Sequence, residues 1–526
     1  MSPRPLIRVV TSAEAATLDH GAIAAGTPSR ALMQRAGAAS ATEIALRFGD
    51  RLRAGALIFA GPGNNGGDAW VVAGALAATG VRVRVCEPVA AATDDTKAER
   101  AMAALAVERV PADATALGAG DTYRGEGVVV DGLLGTGSSG APRGAVGAAV
   151  VGLRSMRERG AELVALDLPS GLDASSGQAF GAARASLTLT YGTIKRGHLL
   201  ARASCGRIVV LDIGIGGIAA ASTNPQLVDR SWVARHVPEI SVDAHKGTRR
   251  KIAIVGGGAG MSGAVILAAQ AAWRSGVGMV KAVVSRDALN SVREAEPQSL
   301  TAVWPAGADD VTREITHWAD VVVIGPGLGH GGAQRELVER VLRAWTGPVV
   351  LDADALNVFG ADVNAIAGLL NGRPAVLTPH PVEFARLTGH SVDDVLAHRF
   401  DVAVPLARHT RATVLLKGQP TVISSGSGER LVAASGTPLL AAAGSGDLLA
   451  GMVGTLLAQI QDPMAAAACA AWVHGRAAWL VHRRQRGVRG FALAHVLAQL
   501  PRAWTVQSTP TRAPVLLELP DIMPPA

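Results

Sequence analysis

The chain has 526 residues, 49% of them hydrophobic and 18% charged, with 62 glycines. That is too long for a single core and too apolar for a disordered or fibrous protein, so two or three compact domains are expected. The net charge of +7 comes from 50 basic residues, only six of them lysine, dispersed among 43 acids, a compositional bias that argues against a nucleic-acid partner.

Between Ser12 and Gly37 the apolar positions Ala16, Leu18, Ile23, Leu32 and Met33 suit helices. Strand-like runs at 57–60, 81–85, 128–130, 163–166, 187–190 and 208–211 then alternate with Ala-rich helical stretches. The alternation predicts an α/β domain built on a doubly wound parallel sheet. After Ile213 the text becomes small and polar, GIGGIAAASTNPQLVDR, which reads as a linker between domains. A second α/β series offers strands at 252–255, 279–283, 321–324, 349–351, 375–377 and 414–416, and closes in helices from Asp447 to about Leu500. The Pro-rich stretch 508–526 reads as a loose tail. The expected layout is a first domain over 1–217, a linker over 218–229, a second domain over 230–505 and a tail over 506–526.

Cys86, Cys205 and Cys469 lie far apart, with no CxxC or histidine-rich surroundings, so neither a disulfide framework nor a zinc site follows. The densest basic group, Arg483, Arg484, Arg486 and Arg489, reads as a solvated face. There is no continuous apolar leader, and the most apolar later stretch, 464–481, is interrupted by His474 and Arg476. A soluble cytoplasmic protein without a membrane partner is the expectation.

Twice an apolar strand runs into a Gly-rich turn, as AGALIFA-GPGNNGGD over 54–68 and as KIAIV-GGGAGMSGA over 251–264. Such turns aim backbone N–H groups and a helix N-terminus at an anion, so each suits a phosphate-bearing ligand. In the first half, Asn64, Asn65 and Asp68 follow one strand, Asp131 a second, and Asp167 with Ser170 a third. Residues placed after parallel strands converge in space. GPGNNG also fits GxGxxG, with Glu87 ending the next strand as a nicotinamide dehydrogenase would have it. A pyrophosphate there would meet the Asp68 carboxylate, however, and amide and carboxylate oxygens better suit a hard cation or a polar ring. Taken singly, these residues also read as turn formers and a helix cap.

GPGNNGGD, VDGLLGTG over 130–137 and LDLPSGLD over 166–173 resemble the signatures of the NAD(P)H-hydrate epimerase family, as does the opening TSAEAATLDHGAIAAG with ALMQRAG. The resemblance implies a Rossmann-like three-layer sandwich. Its hydrate site would be lined by Asn64, Asn65, Gly66, Gly67, Asp68, Gly135, Thr136, Gly137, Ser138, Ser139, Gly140, Ala141 and Asp167, and a potassium ion would be held by Asn65, Asp131 and Ser170. Asp167 is the expected acid–base residue for inverting the hydroxyl-bearing carbon. Ala69, where the family commonly has glycine, is a departure expected to narrow the pocket.

In the second half, GSGDLLAG over 444–451 puts glycines, a helix start and Asp447 together, an anion cradle beside a base able to take a hydroxyl proton. With AHKGTRRKIAIVGGGAGMSGA, GPGLG, LDADALN, TPHPVEFARL and LLKGQPTVI in order, the chain resembles the ADP-dependent NAD(P)H-hydrate dehydratases. That resemblance implies a ribokinase-like α/β domain in which Ala264, Gly327, His380 and Asp447 contact the substrate. Lys417, Gly418, Gln419, Pro420, Thr421 and Gly446 would contact the nucleotide. Asp447 would be catalytic, ADP the phosphoryl donor and magnesium the counter-ion. Ser445 departs from the family pattern and bears on nucleotide preference. Together the halves imply epimerisation of the R and S hydrates of NAD(P)H and ADP-dependent dehydration of the S form, by a homo-oligomer. The rival reading is a ribokinase-type small-molecule kinase fused to a non-catalytic binding module.

Overall fold

A computed structural model describes residues 6–304, 308–485, 487–506 and 512–522. The chain forms two compact units, one running to Asn224 and taking in Val515–Leu519 from the far end of the chain, the other beginning at Pro225.

The first unit is built on an eight-stranded sheet in the order Val515–Leu519, Arg207–Leu211, Leu187–Tyr191, Glu162–Leu166, Val128–Gly132, Ala56–Ala60, Val83–Cys86, Glu108–Val110. All neighbours are parallel except the first pair. Period-two alternation covers both faces. In Ala56–Ala60 the side chains of Ala56, Ile58 and Ala60 join one apolar cluster, and those of Leu57 and Phe59 join the other. Helices Ser29–Leu52 and Asn64–Ala78 cover the first face; Ala114–Ala119 and Gly144–Glu158 cover the second. This is a three-layer α/β sandwich. The strand order reverses between Ala56–Ala60 and Val128–Gly132, which opens a crevice at their carboxyl ends.

Two short segments escape the sequence reading. Ile7–Val10 pairs in parallel with Ile194–Lys195, matching Val10 to Lys195, ahead of helix Ser12–Ala24, which Thr11 and Glu14 start with a capping box. The expected loose tail is corrected: Val515–Leu519 is an antiparallel edge strand on Arg207–Leu211. Its alternate residues Val515, Leu517 and Leu519 are buried, and Glu518 meets Arg47 and Arg207. The rest of the tail call, over 507–511 and 523–526, lies outside the described residues.

In the second unit the strands run Leu300–Trp304, Met279–Ser285, Lys251–Val255, Val321–Ile324, Val349–Leu351, Ala375–Leu377 and Thr413–Leu416, all parallel. Thr421–Ser424 and Arg430–Ala433 extend the sheet antiparallel, and Gln226–Leu227 then pairs in parallel with Arg430–Ala433. Helix Ser445–Ile460 packs so closely on the sheet that a methyl on Gly454 would stand 2.4 Å from Val323. Here too the order reverses, between Lys251–Val255 and Val321–Ile324. Within the expected linker, Asp229 caps the helix Arg230–His236. Among the described residues no helix is long and apolar enough to cross a membrane.

Candidate active sites

In the first unit a cleft of about 510 Å³ opens at the strand reversal. Asn64, Asn65, Asp68, Gly135, Thr136, Gly137, Ser138 and Asp167 line it, and so do Asp19, Tyr191 and Lys195, which the sequence reading did not select. Gly66 and Gly67 lie beneath the helix start instead: a methyl on Gly66 would stand 1.8 Å from the Gly61 carbonyl, so only glycine lets the helix descend this far. Ser139, Gly140 and Ala141 continue the loop as exposed residues outside the lining. Ala69 does not narrow the cleft; it is fully buried against Gly132.

Asp167 follows Glu162–Leu166 at a positive φ of 61°, a conformation costly for a non-glycine residue. Its N–H donates to the Leu189 carbonyl (2.7 Å) and its own carbonyl meets His198 Nε2 (2.8 Å). The carboxylate is gripped unevenly. Oδ1 accepts from Lys195 Nζ (2.5 Å) and Thr190 Oγ1 (3.2 Å), while among the described residues Oδ2 accepts only from the Thr136 N–H (3.2 Å). Burial pushes this carboxyl up, but the attraction and hydrogen bond of Lys195 outweigh it and hold Asp167 below the usual carboxylate range. Asp68 has the opposite fate. Burial and the nearby charges of Asp167 and Asp19 raise it well above its ordinary value, although Lys195 opposes them.

Beside this pair, Asp131 is buried and accepts from Ser170 Oγ (2.6 Å), Ser170 N (2.8 Å) and Leu133 N (3.2 Å). Burial raises its carboxyl against these hydrogen bonds. Asn65 Nδ2 donates to the carbonyls of Leu134 (2.9 Å) and Leu166 (3.1 Å), and its Oδ1 is buried with no donor among the described residues. An amide oxygen with no donor among the described residues and a buried carboxylate form a donor set suited to a monovalent cation. Glu87, the residue a dehydrogenase would use for ribose, is instead paired with Arg100 (3.1 Å) and Arg109 (3.2 Å).

In the second unit the Gly-rich loops are knit together: Gly258 N–H donates to the Gly327 carbonyl (2.6 Å), and Gly327, at φ 56°, has Ala264 against it. Asp447 stands in the first turn of Ser445–Ile460. Lys417, at the end of Thr413–Leu416, pairs with Asp352 (2.8 Å) and approaches Glu383 (3.9 Å). Thr378 Oγ1 donates to the same Asp352 oxygen (2.7 Å). Burial drives Asp447 up, the charge of Asp352 adds to it, and the opposing pull of Lys417 leaves the carboxyl at about 7. His380 is an exposed N-cap whose Nδ1 accepts from Val382 and Glu383 N–H groups. Gly418, Gln419, Pro420 and Thr421 form the turn after Lys417, with Gln419 Nε2 donating to the Gly436 carbonyl (3.0 Å). Asp352 and Glu383 were not selected from sequence, although both sit in quoted motifs, Asp352 directly after a strand and Glu383 in the first turn of helix Pro381–Thr388.

A family model described as NAD(P)H-hydrate dehydratase matches residues 252–502, and one described as YjeF-related protein N-terminus matches 29–197. The bifunctional NAD(P)H-hydrate repair enzyme Nnr of Moorella thermoacetica is 35% identical over 517 residues, covering 94% of this chain and 96% of that protein. The chain belongs to the bifunctional NAD(P)H-hydrate repair enzyme family. The Escherichia coli member is 32% identical over 452 residues, covering 85% of this chain and 84% of its own length. Among solved structures, an ADP/ATP-dependent NAD(P)H-hydrate dehydratase from Bacillus subtilis, co-crystallised with ATP and magnesium, is 29% identical with a TM-score of 0.48, covering 54% of this chain and 99% of its own. The N-terminal family match runs to Gly197 and so takes in Lys195, the residue paired with Asp167.

Proposed function

We infer that this chain repairs hydrated nicotinamide coenzymes, interconverting the R and S hydrates in its first unit and dehydrating the S hydrate in its second, with ADP consumed to AMP and phosphate. The observation that carries the reading is that each family-matched half contains a built site with its own aspartate, Asp167 in one and Asp447 in the other. A small-molecule kinase with a silent first module would have no use for the buried Asp167–Lys195 pair.

In the first site Asp167 takes the proton of the C6 hydroxyl as the C6–N1 bond opens to an aldehyde. Closure on the opposite face and return of the proton invert C6 with no net change in atoms. Asn65, Asp131 and Ser170 would hold potassium, whose charge would offset the burial of the Asp131 carboxylate. In the second site Asp447, at about 7, takes the proton of the C6 hydroxyl as its oxygen attacks the β-phosphorus of ADP. AMP departs, and loss of phosphate with a C5 proton restores the ring double bond. Lys417 draws the nucleotide's negative charge toward the turn through Thr421, and magnesium accompanies that nucleotide. The three cysteines, all free and buried, fit a reducing cytoplasm.

Purified protein is mixed with both hydrate epimers and either ADP or ATP, and recovery of reduced-nicotinamide absorbance is followed. Full recovery is expected. Recovery limited to the S fraction removes the first activity, and no recovery removes the second.

A further inference from the structure

The ammonium of Lys195 lies in the wall of the first cleft, 4% exposed, between two acceptors: Asp167 Oδ1 at 2.5 Å and Thr190 Oγ1 at 2.8 Å. Three features fix it there. Its strand, Ile194–Lys195, is paired with Ile7–Val10 at the register Val10 to Lys195. Its own N–H donates to His198 Nδ1 (3.2 Å), while the other nitrogen of that ring meets the Asp167 carbonyl (2.8 Å). Burial and the neighbouring Lys195 charge lower His198 to about 3, so the ring stays neutral with its proton on Nε2. One uncharged imidazole thus clamps the backbone of both members of the ion pair.

The consequence is an asymmetric carboxylate. Oδ1 is saturated by Lys195 and Thr190, whereas Oδ2 has a single donor among the described residues, the Thr136 N–H, and faces Gly135, whose missing side chain leaves room beside it: a methyl there would stand 3.4 Å from Oδ2. We propose that Lys195 is a positioning residue for epimerisation, holding Asp167 by Oδ1 so that Oδ2 is the oxygen that exchanges a proton with the substrate hydroxyl. This deepens the reading of the first site given above and rests on it. Lys195 is one of only six lysines in the chain, and a guanidinium would demand a wider, forked set of acceptors than one carboxylate oxygen and one hydroxyl provide.

The test follows conversion of the R hydrate to the S hydrate chromatographically, without nucleotide, in the full-length chain and its variants across pH. The other ionisable groups facing the pair are Asp19 and His20 from the first helix, Asp68 from the helix after the Gly-rich turn, Tyr191 from the strand before Lys195, and His198. All are retained in every variant. Lys195→Met is expected to lower kcat about 100-fold near neutrality, with KM little changed. Its acid limb should move to higher pH, because the carboxylate that Lys195 favoured now protonates more readily. Lys195→Arg, which restores the charge, should keep the acid limb near its original place. Thr190→Val, which removes the second anchor of the ammonium without burying a lone charge, should give a smaller loss in the same direction.

Wild-type kcat and an unmoved acid limb in Lys195→Met, or a loss confined to KM, would overturn the proposal. If that variant fails to fold, an unmoved limb in Thr190→Val overturns it instead. A wild-type chain that cannot interconvert the epimers removes the reading of the site itself, a result distinct from active wild type with indifferent variants.

Discussion

Asp167 and Asp447 are each an aspartate near a lysine at the reversal point of a parallel sheet, yet their carboxyls are held on opposite sides of the ordinary value. In the first site Lys195 is committed to Asp167 itself, so the carboxylate is stabilised despite burial. In the second, Lys417 is already committed to Asp352 and Glu383, and Asp447 receives only the remainder of its field while feeling both of those carboxylates. The same ingredients therefore hold one carboxyl below its ordinary range and leave the other at about 7, according to which acid the lysine satisfies first.

The strongest way to break this comparison is to neutralise each aspartate in turn. Asp447→Asn is expected to reduce ADP-dependent dehydration about 1000-fold and leave R-to-S interconversion intact; Asp167→Asn should do the reverse. Loss of both activities from either substitution, measured by absorbance recovery and by chromatography of the epimers, would contradict two independent sites. A sharper probe is pH. Dehydration depends on the ionised form of Asp447, so kcat/KM should fall as pH drops through about 7. Lys417→Met leaves Asp352 and Glu383 unopposed, raising Asp447 further and moving that limb to higher pH. A shift of one unit lowers kcat/KM at pH 7 about fivefold. An unmoved limb would show that the lysine does not set the ionisation of Asp447.

A milder effect is expected from the cation. Replacing potassium with a bulky organic cation should slow epimerisation several-fold while dehydration of the pure S hydrate proceeds unchanged, because the buried Asp131 and the orphaned Asn65 Oδ1 belong to the first unit alone. Equal epimerisation rates in both media would remove the cation from that site.

What the sequence discloses and what it hides divide along a physical line. Asn65, Asp131, Ser170 and Asp167 follow recognisable parallel strands, and the rule that strand ends converge places them together before any coordinates are known. Lys195 escapes because its strand is two residues long and exists only by pairing with Ile7–Val10, almost two hundred positions away. Asp352 and Glu383 sit inside motifs, but their role depends on Lys417, more than thirty residues further on. A usable signal was present all the same: in a chain that otherwise uses arginine, lysines stand beside both candidate bases. Val515–Leu519 is hidden for another reason. Its flanking prolines read as a loose tail, and its alternation of apolar residues makes sense only against the edge strand it covers.

That returning strand separates the two units by stability rather than chemistry. It shields the edge of Arg207–Leu211, its Glu518 pairs with Arg47 at 2.8 Å, and the adjoining Arg512 neutralises Glu43, a fully buried carboxylate also held by Arg47 at 3.0 Å. Ending the chain after residue 506 exposes an unpaired strand edge and leaves Glu43 with one cation instead of two. The expected outcome is a fall of about 5 °C in the melting of the first unit, corresponding to roughly 2 kcal/mol, with some loss of epimerisation on warming. Dehydration of the S hydrate at 25 °C should be unaffected, since Asp447, Lys417 and Asp352 all lie in the second unit. Equal melting of the truncated and full chains would show that the edge strand adds nothing to the stability of the first unit, and that Arg47 alone suffices for Glu43.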